Sequence, residues 1–345
     1  MNATLTGIDV MFGAPFMQQA AIALGLLAAC AALVGVALNL RDLEFVSDGL
    51  VHAVFPGVVI GLALGGGETI YVGAIIAALV ATVLLTIATN RGAGTDASTA
   101  VLLAGCFALG IVIVSRTTTY STGVEQLLFG QLLTIGTGDV LVIAVLGGIA
   151  ALLVVFTWKE QVFISFDRRG AEASAMRVFA YELALNLAIA LVVVAASRAV
   201  GNLLVLALLI VPAAVGRLLS RRLSAILAIA FVTALLGSVA GLVGGYWLAV
   251  DASLAISPSG VLVLCLVAIY LVVAGISALT TLVRRRTRGG FAPLTGPELA
   301  DRLAVRDAAT GAAAEASEAD AGSPGAGAPV AGAPDAAAGT EGARA

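Results

Sequence analysis

Charge is what this sequence has least of. Only 11% of its 345 residues are Asp, Glu, Lys or Arg, against roughly 25% in an ordinary soluble domain. A water-facing surface on a fold this long needs more polar side chains than that, whereas a bilayer accepts Leu, Val, Ala and Ile on the outside of a helix bundle. Lysine occurs once, at Lys159 after Trp158, so no phosphate-binding loop with lysine after glycine can be drawn. Histidine also occurs once, as His52, which excludes a catalytic centre built from several imidazoles and leaves no cysteine with a histidine base nearby. The cysteines, Cys30, Cys106 and Cys265, lie in separate apolar runs without the spacing of a metal knuckle or a disulfide framework.

Apolar residues fill the space that charge leaves. They make up 60% of the chain, and its mean hydropathy is +1.08. Stretches long enough to cross a bilayer, about 20 residues each, fall at 16–39, 45–64, 69–89, 97–115, 139–158, 178–197, 200–216, 223–248 and 258–283. The stretch 200–216 is short and holds Pro212, so eight full spans with one partial helix stand as the alternative to nine. Lipid offers the backbone no hydrogen-bond partner, so the spans must be helices. The expected fold class is an all-α polytopic membrane protein of eight to nine transmembrane helices.

The basic residues indicate orientation. Arg41, Arg91, Lys159, Arg168, Arg169, Arg177, Arg217, Arg221, Arg222, Arg284, Arg285, Arg286 and Arg288 all fall on one side, and only Arg116 and Arg198 fall opposite. With the basic side cytoplasmic, the N-terminus lies outside and the C-terminus inside, which requires an odd number of crossings. The first apolar segment lacks a basic n-region and a small-residue cleavage site, so it reads as a retained helix. Residues 1–288 form the transmembrane domain on this reading. Residues 289–345 turn to Ala, Gly, Pro, Asp and Glu and have too little bulky apolar content to offset their ordering entropy, so a disordered cytoplasmic tail is expected.

The chemistry concentrates in Ser47-Asp48-Gly49-Leu50-Val51-His52-Ala53-Val54-Phe55-Pro56-Gly57. Asp48 and His52 are four apart and stand on one helix face. An ionisable side chain on the order of 10 Å into a span costs roughly 2.5–3.5 kcal/mol against lipid, so His52 belongs in the bundle interior or on a water path. One reading offers a carboxylate and an imidazole to a divalent cation; manganese, zinc and iron all tolerate that pair. The other makes Ser47 or Asp48 a helix cap and His52 a satisfied interior residue. Two ligands leave a site incomplete, and water, another helix or a two-fold partner must supply the rest.

Pro56-Gly57 and Pro212 interrupt two spans, as cavity-lining breaks or as simple kinks. In Lys159–Ala173, the most charged internal loop, Ser165 or Asp167 is placed to cap a short helix running through Glu172. Such a helix suits a cytoplasmic motor protein, although a basic turn that only sets topology has the same composition. Gly136-Thr137-Gly138-Asp139 resembles the signature of intramembrane aspartyl proteases, but that chemistry needs two carboxylates sharing a site, and helix capping accounts for Asp139.

With these residues in hand, the sequence resembles the membrane permeases of ABC importers for manganese, zinc and iron. The second-span motif, G-D-A-L-S-H-A-V-L-P-G in that family, aligns with Ser47–Gly57 so that Asp, His, Pro and Gly fall in register. Leu127-Leu128-Phe129-Gly130, Ser165-Phe166-Asp167, Val200–Leu204, Ile210–Ala214 and Arg217-Leu218-Leu219 extend the similarity. The resemblance implies a permease bundle that hydrolyses no ATP itself, with a separate cytoplasmic ABC ATPase, an extracytoplasmic metal-binding protein and a homodimer in the plasma membrane. It further implies that the transported metal passes Asp48 and His52, that Leu128 and Phe129 belong to an external gate, and that Ser165, Phe166, Asp167 and Glu172 couple to the ATPase. Manganese is the foremost cargo, with zinc or iron as alternatives; no permanently bound cofactor and no nucleic-acid partner is expected. Ser47, Gly49 and Val51 replace the family's commoner Gly, Ala and Ser, Arg168-Arg169 stands where Pro-Glu is common, and the acidic tail is outside the pattern. A proton- or sodium-coupled secondary transporter, with Asp48 and His52 as a proton relay, is the alternative, although no inverted repeat relates the halves. A non-transporting scaffold or intramembrane enzyme is a third class, in which Asp48 would not affect ion flux.

Overall fold

The computed structural model describes residues 13–65, 69–115, 130, 132–197, 200–250 and 257–287, with positions 303, 304, 306 and 308. The expected gate residues Leu128 and Phe129, and nearly all of the tail at 289–345, lie outside the described residues. Met1–Leu282 form one compact unit and Val283–Ala345 a second. The elements among the described residues are helical: α1 (Pro15–Leu40), α2 (Glu44–Gly65), α3 (Thr69–Asn90), α4 (Thr95–Ser115), a 3-10 turn at Leu132–Thr134, α5 (Thr137–Phe156), α6 (Trp158–Phe166), α7 (Arg168–Ala173), α8 (Val178–Ser197), α9 (Asn202–Leu219), α10 (Leu223–Val250) and α11 (Pro258–Thr287), whose last residues belong to the second unit.

Eight of these helices are long and apolar enough to cross a bilayer: α1 to α5, α8, α10 and α11. The stretch expected at 200–216 is the shorter helix α9, whose 18 residues rise roughly 27 Å. Its start follows Gly201, which with Val200 packs on the Gly130 backbone ahead of α5. Its end reaches the turn after α1, where Arg217 Nη1 donates to the Asn39 carbonyl at 2.7 Å and to Asn39 Oδ1 at 2.9 Å. The short helix therefore runs from one end of the bundle to the other, a ninth traverse beside the eight long helices among the described residues.

The centre of the bundle is α1 against α8. Ala188 to Ala196 of α8 are all buried, as are Leu24, Leu27, Ala28, Ala31, Val34 and Leu38 of α1. Apolar side chains also cover the outside: Val101, Leu141 and Leu264 are 75%, 65% and 69% exposed, which would be an aggregation hazard in water and is the ordinary surface of a protein in lipid.

Association in lipid depends on close packing rather than on expulsion of water, so small residues mark the contacts. A Cβ at Gly57 of α2 would lie 2.3 Å from the Gly73 carbonyl oxygen of α3, and one at Gly61 would lie 2.5 Å from that of Thr69. The same device joins α10 to α11, where Gly237, Gly241 and Gly245 meet Leu266, Leu262 and Pro258 in antiparallel register. Gly57→Ala is expected to lower the stability of the purified protein by about 1–3 kcal/mol, the usual cost of overpacking, seen as a lower melting temperature in detergent. Gly105→Ala is the control, since its added methyl meets nothing within 4 Å and should leave the melt unchanged.

Candidate metal path

α2 begins at Glu44, whose carboxylate accepts a short hydrogen bond from the Asn39 side-chain amide. Ser47 is in the first turn, its hydroxyl donating to the Glu44 carbonyl at 2.7 Å, and Asp48 starts the second. Neither caps the helix. Asp48 Oδ1 and His52 Nε2 lie 3.6 Å apart on one face of α2, with side chains 35% and 27% exposed. That separation exceeds a hydrogen bond. It is close to the span between two donors sharing one ion at bond lengths of about 2.1 Å: about 3.4 Å in a tetrahedron, somewhat less for neighbouring octahedral positions.

The imidazole is held by α4. Phe107 meets the His52 ring edge-on, with centroids 5.4 Å apart and planes at 82°, and Phe55 lies tilted against Phe107 at 6.0 Å. Two glycines allow this approach. A Cβ at Gly49 would fall 2.3 Å from Thr99 Cγ2, and one at Gly110 would fall 2.4 Å from Phe55 Cδ1. Gly49, where alanine is commoner in the family it resembles, thus leaves the room that the Thr99 methyl occupies. Pro56 lies inside α2 and has no N–H to give the carbonyl four residues back, which frees the His52 main-chain oxygen beside its own side chain.

No group of three or more His, Cys, Asp or Glu side chains able to hold a metal occurs among the described residues. Asp48 and His52 are therefore a pair of side chains too few to make a closed metal site by themselves. Asp139 is far from them, at the start of α5. It sits in the first turn rather than at the cap, its Oδ2 accepting from the Gly136 amide at 3.1 Å and its Oδ1 from the Tyr71 hydroxyl at 2.9 Å. The protease-like signature is a helix start.

At the basic end of the bundle, Asp167 caps α7 as expected, Oδ1 accepting from the Gly170 amide at 2.8 Å. Ser165 instead belongs to α6 and donates to the Val162 carbonyl. Phe166 is 79% exposed, and Glu172 pairs with Arg168 at 3.2 Å. Sequence reasoning missed Glu182, which is buried and sits on α8 one turn from its start. The available signal was an acid followed four residues later by Asn186 inside an apolar run, where an ionisable group must find partners.

A bundle of membrane-crossing helices, one of which carries an aspartate, a histidine and a proline within its span, is the architecture of a membrane transport subunit. Residues 13–277 match the ABC 3 transport family, and the chain belongs to it. The manganese transport system membrane protein MntC of Halalkalibacterium halodurans is 30% identical over 237 residues, 68% of this chain and 80% of that protein. The chelated iron transport system membrane protein YfeD of Yersinia pestis is 28% identical over 246 residues, 70% of this chain and 80% of its own length. Among solved structures, PsaBC from Streptococcus pneumoniae in complex with Fab superposes with a TM-score of 0.67 at 28% identity, covering 79% of this chain and 95% of that one. The chain is accordingly a multi-pass membrane subunit of an ABC transport system, with ATP hydrolysis on a separate subunit.

The packing of α2 on α4 yields a paired prediction. Gly49→Ala is expected to destabilise the protein by about 1–3 kcal/mol, read as a lower melting temperature, because the new methyl collides with Thr99. Gly49→Ala combined with Thr99→Ser, which removes that methyl, should recover most of the loss; additive losses would contradict the contact.

Proposed function

We propose that the chain is the permease of an ATP-driven importer for a divalent transition metal, manganese foremost with zinc or iron as alternatives, and that Asp48 and His52 are its transient ligands. One observation carries this reading: the chain's single imidazole and a carboxylate converge at 3.6 Å on one face of a transmembrane helix. Two protein donors exchangeable with water bind weakly enough for an ion to enter and leave as the helices move between outward and inward states. The names of the relatives support the cargo, since manganese and chelated iron both suit an oxygen-plus-imidazole donor set. The alternative secondary transporter lacks a comparable basis: ABC family membership assigns the energy to ATP, not to a proton relay.

Asp48 and His52 leave coordination positions open, and a homodimer would supply the same pair twice. An extracytoplasmic binding protein delivers the ion. The basic end of the bundle faces the cytoplasm, with the N-terminus outside and the C-terminus inside, as the arginine distribution requires. There the exposed Phe166 and the Asp167-capped α7 with Glu172 present a small docking surface to the ATPase, with Ser165 at the end of α6 beside it. Leu128 and Phe129 remain assigned to an external gate through the family resemblance, and the tail after residue 288 is a solubilising appendage. Asp48→Ala and His52→Ala are each expected to lower manganese uptake into proteoliposomes holding the full complex by about tenfold or more, equivalent to about 1.4 kcal/mol at the transit site. Wild-type uptake by both variants would remove the site assignment.

A further inference from the structure

Glu182 is the most heavily partnered side chain at the basic end of the bundle. Its Oε1 accepts from Arg41 Nη2 at 3.0 Å and forms an ion pair with Arg168 Nη1 at 2.7 Å. Its Oε2 accepts from Asn90 Nδ2 at 2.8 Å. Arg41 in turn donates from Nη1 to Gln161 Oε1 at 2.9 Å, and Gln161 Nε2 donates to the Tyr181 carbonyl. One carboxylate on α8 thus ties together the end of α3, the turn between α1 and α2, α6, and the first residue of α7. The Arg41 and Glu182 side chains are each only 8% exposed. Burial pulls the Arg41 guanidinium below its usual value, and the neighbouring Glu182 carboxylate opposes that pull.

Two features make this more than a stabilising cluster. Arg168 has a second carboxylate within reach: its Nε lies 3.2 Å from Glu172 Oε1, on the exposed face of α7. Arg168 bridges the two carboxylates at once and can leave Glu182 while keeping Glu172, whereas among the described residues Glu182 is the carboxylate paired with the buried Arg41. The network also borders a cavity of about 110 Å³ lined by Arg41, Thr86, Arg168, Glu182 and Asn186 among others, large enough for several waters and for the side chains to change partners. Keeping or releasing the Arg168–Glu182 pair would give the two discrete arrangements that coupling between distant parts of a protein requires.

We infer that Glu182 is the positioning residue that links the ATPase-facing helix α7 to helix α2, which carries Asp48 and His52, with Arg168 as a latch that bridges Glu182 and Glu172 when closed and holds Glu172 alone when open. The inference rests on the proposed docking of the ATPase at α7. When α7 is displaced, Arg168 releases Glu182 and keeps Glu172. Glu182 then holds Arg41 alone, and the turn that begins α2, seven residues ahead of Asp48, is free to move. Metal transit is in this way tied to the state of α7, with no contact between Glu182 and the ion.

The test uses the complete transporter in proteoliposomes, measuring manganese imported and ATP hydrolysed in the same sample. Arg168→Gln leaves the buried Arg41–Glu182 pair intact, and Glu182→Gln breaks both links. Both variants are expected to co-purify with the ATPase and to hydrolyse ATP, while manganese imported per ATP falls about tenfold, within the usual size of a coupling free energy. A purely stabilising network would lower both activities together and leave the ratio unchanged. A ratio within about twofold of wild type for Arg168→Gln would overturn the inference, and so would loss of ATPase binding in that variant, since Arg168 would then act by direct contact. Failure of Glu182→Gln to fold leaves Arg168→Gln to decide. If the wild-type chain itself retains no ATPase, the docking reading fails first, and that result is distinct from an unchanged ratio.

Discussion

A hydrocarbon solvent offers nothing to a backbone amide or to a charge, and the structure follows from how this chain meets that constraint. Helices pair every backbone group along the spans. Between helices there is little hydrophobic drive, so contact is made by glycines that let backbones touch, at Gly57 and Gly73 or along Gly237, Gly241 and Gly245. Charged side chains are pushed to the ends of the bundle and made to satisfy one another, as Glu182 does with Arg41 and Arg168. Each solution is local, and together they hold α1 and α8 as a fixed centre.

Against that background Asp48 and His52 stand out because their pairing is loose. Their 3.6 Å separation is longer than a hydrogen bond, and both side chains are partly exposed. The neighbourhood is otherwise rigid: Phe107 sets the imidazole ring, Gly49 admits Thr99, and α2 is clamped on α3. Close packing around a loosely paired carboxylate and imidazole is the feature on which the proposed ion path rests.

The spans and their type were legible in the sequence because lipid demands long apolar runs, and the ends fell within a few residues of those expected. Asp167 as the cap of α7 was legible from ordinary capping chemistry. The proximity of Asp48 and His52 was legible because they are ionisable residues one turn apart in an apolar stretch, the feature on which their proposed role rests. What escaped was contact information. Nothing local says that Glu182 meets Arg41, 141 positions earlier in the chain, or that Gly49 is small because Thr99 faces it. The path of α9 was also ambiguous, since 18 residues with Pro212 inside read equally as a partial helix; only its contacts at the two ends of the bundle show a full traverse.

Because His52 is the chain's only histidine, any imidazole bound to a metal on this protein reports a single residue. Electron spin-echo envelope modulation of Mn(II) added to the tag-free chain in lipid nanodiscs reads that directly. The account predicts nitrogen modulation from one directly coordinated imidazole, absent in His52→Gln; bound manganese without nitrogen modulation in the wild type would contradict it.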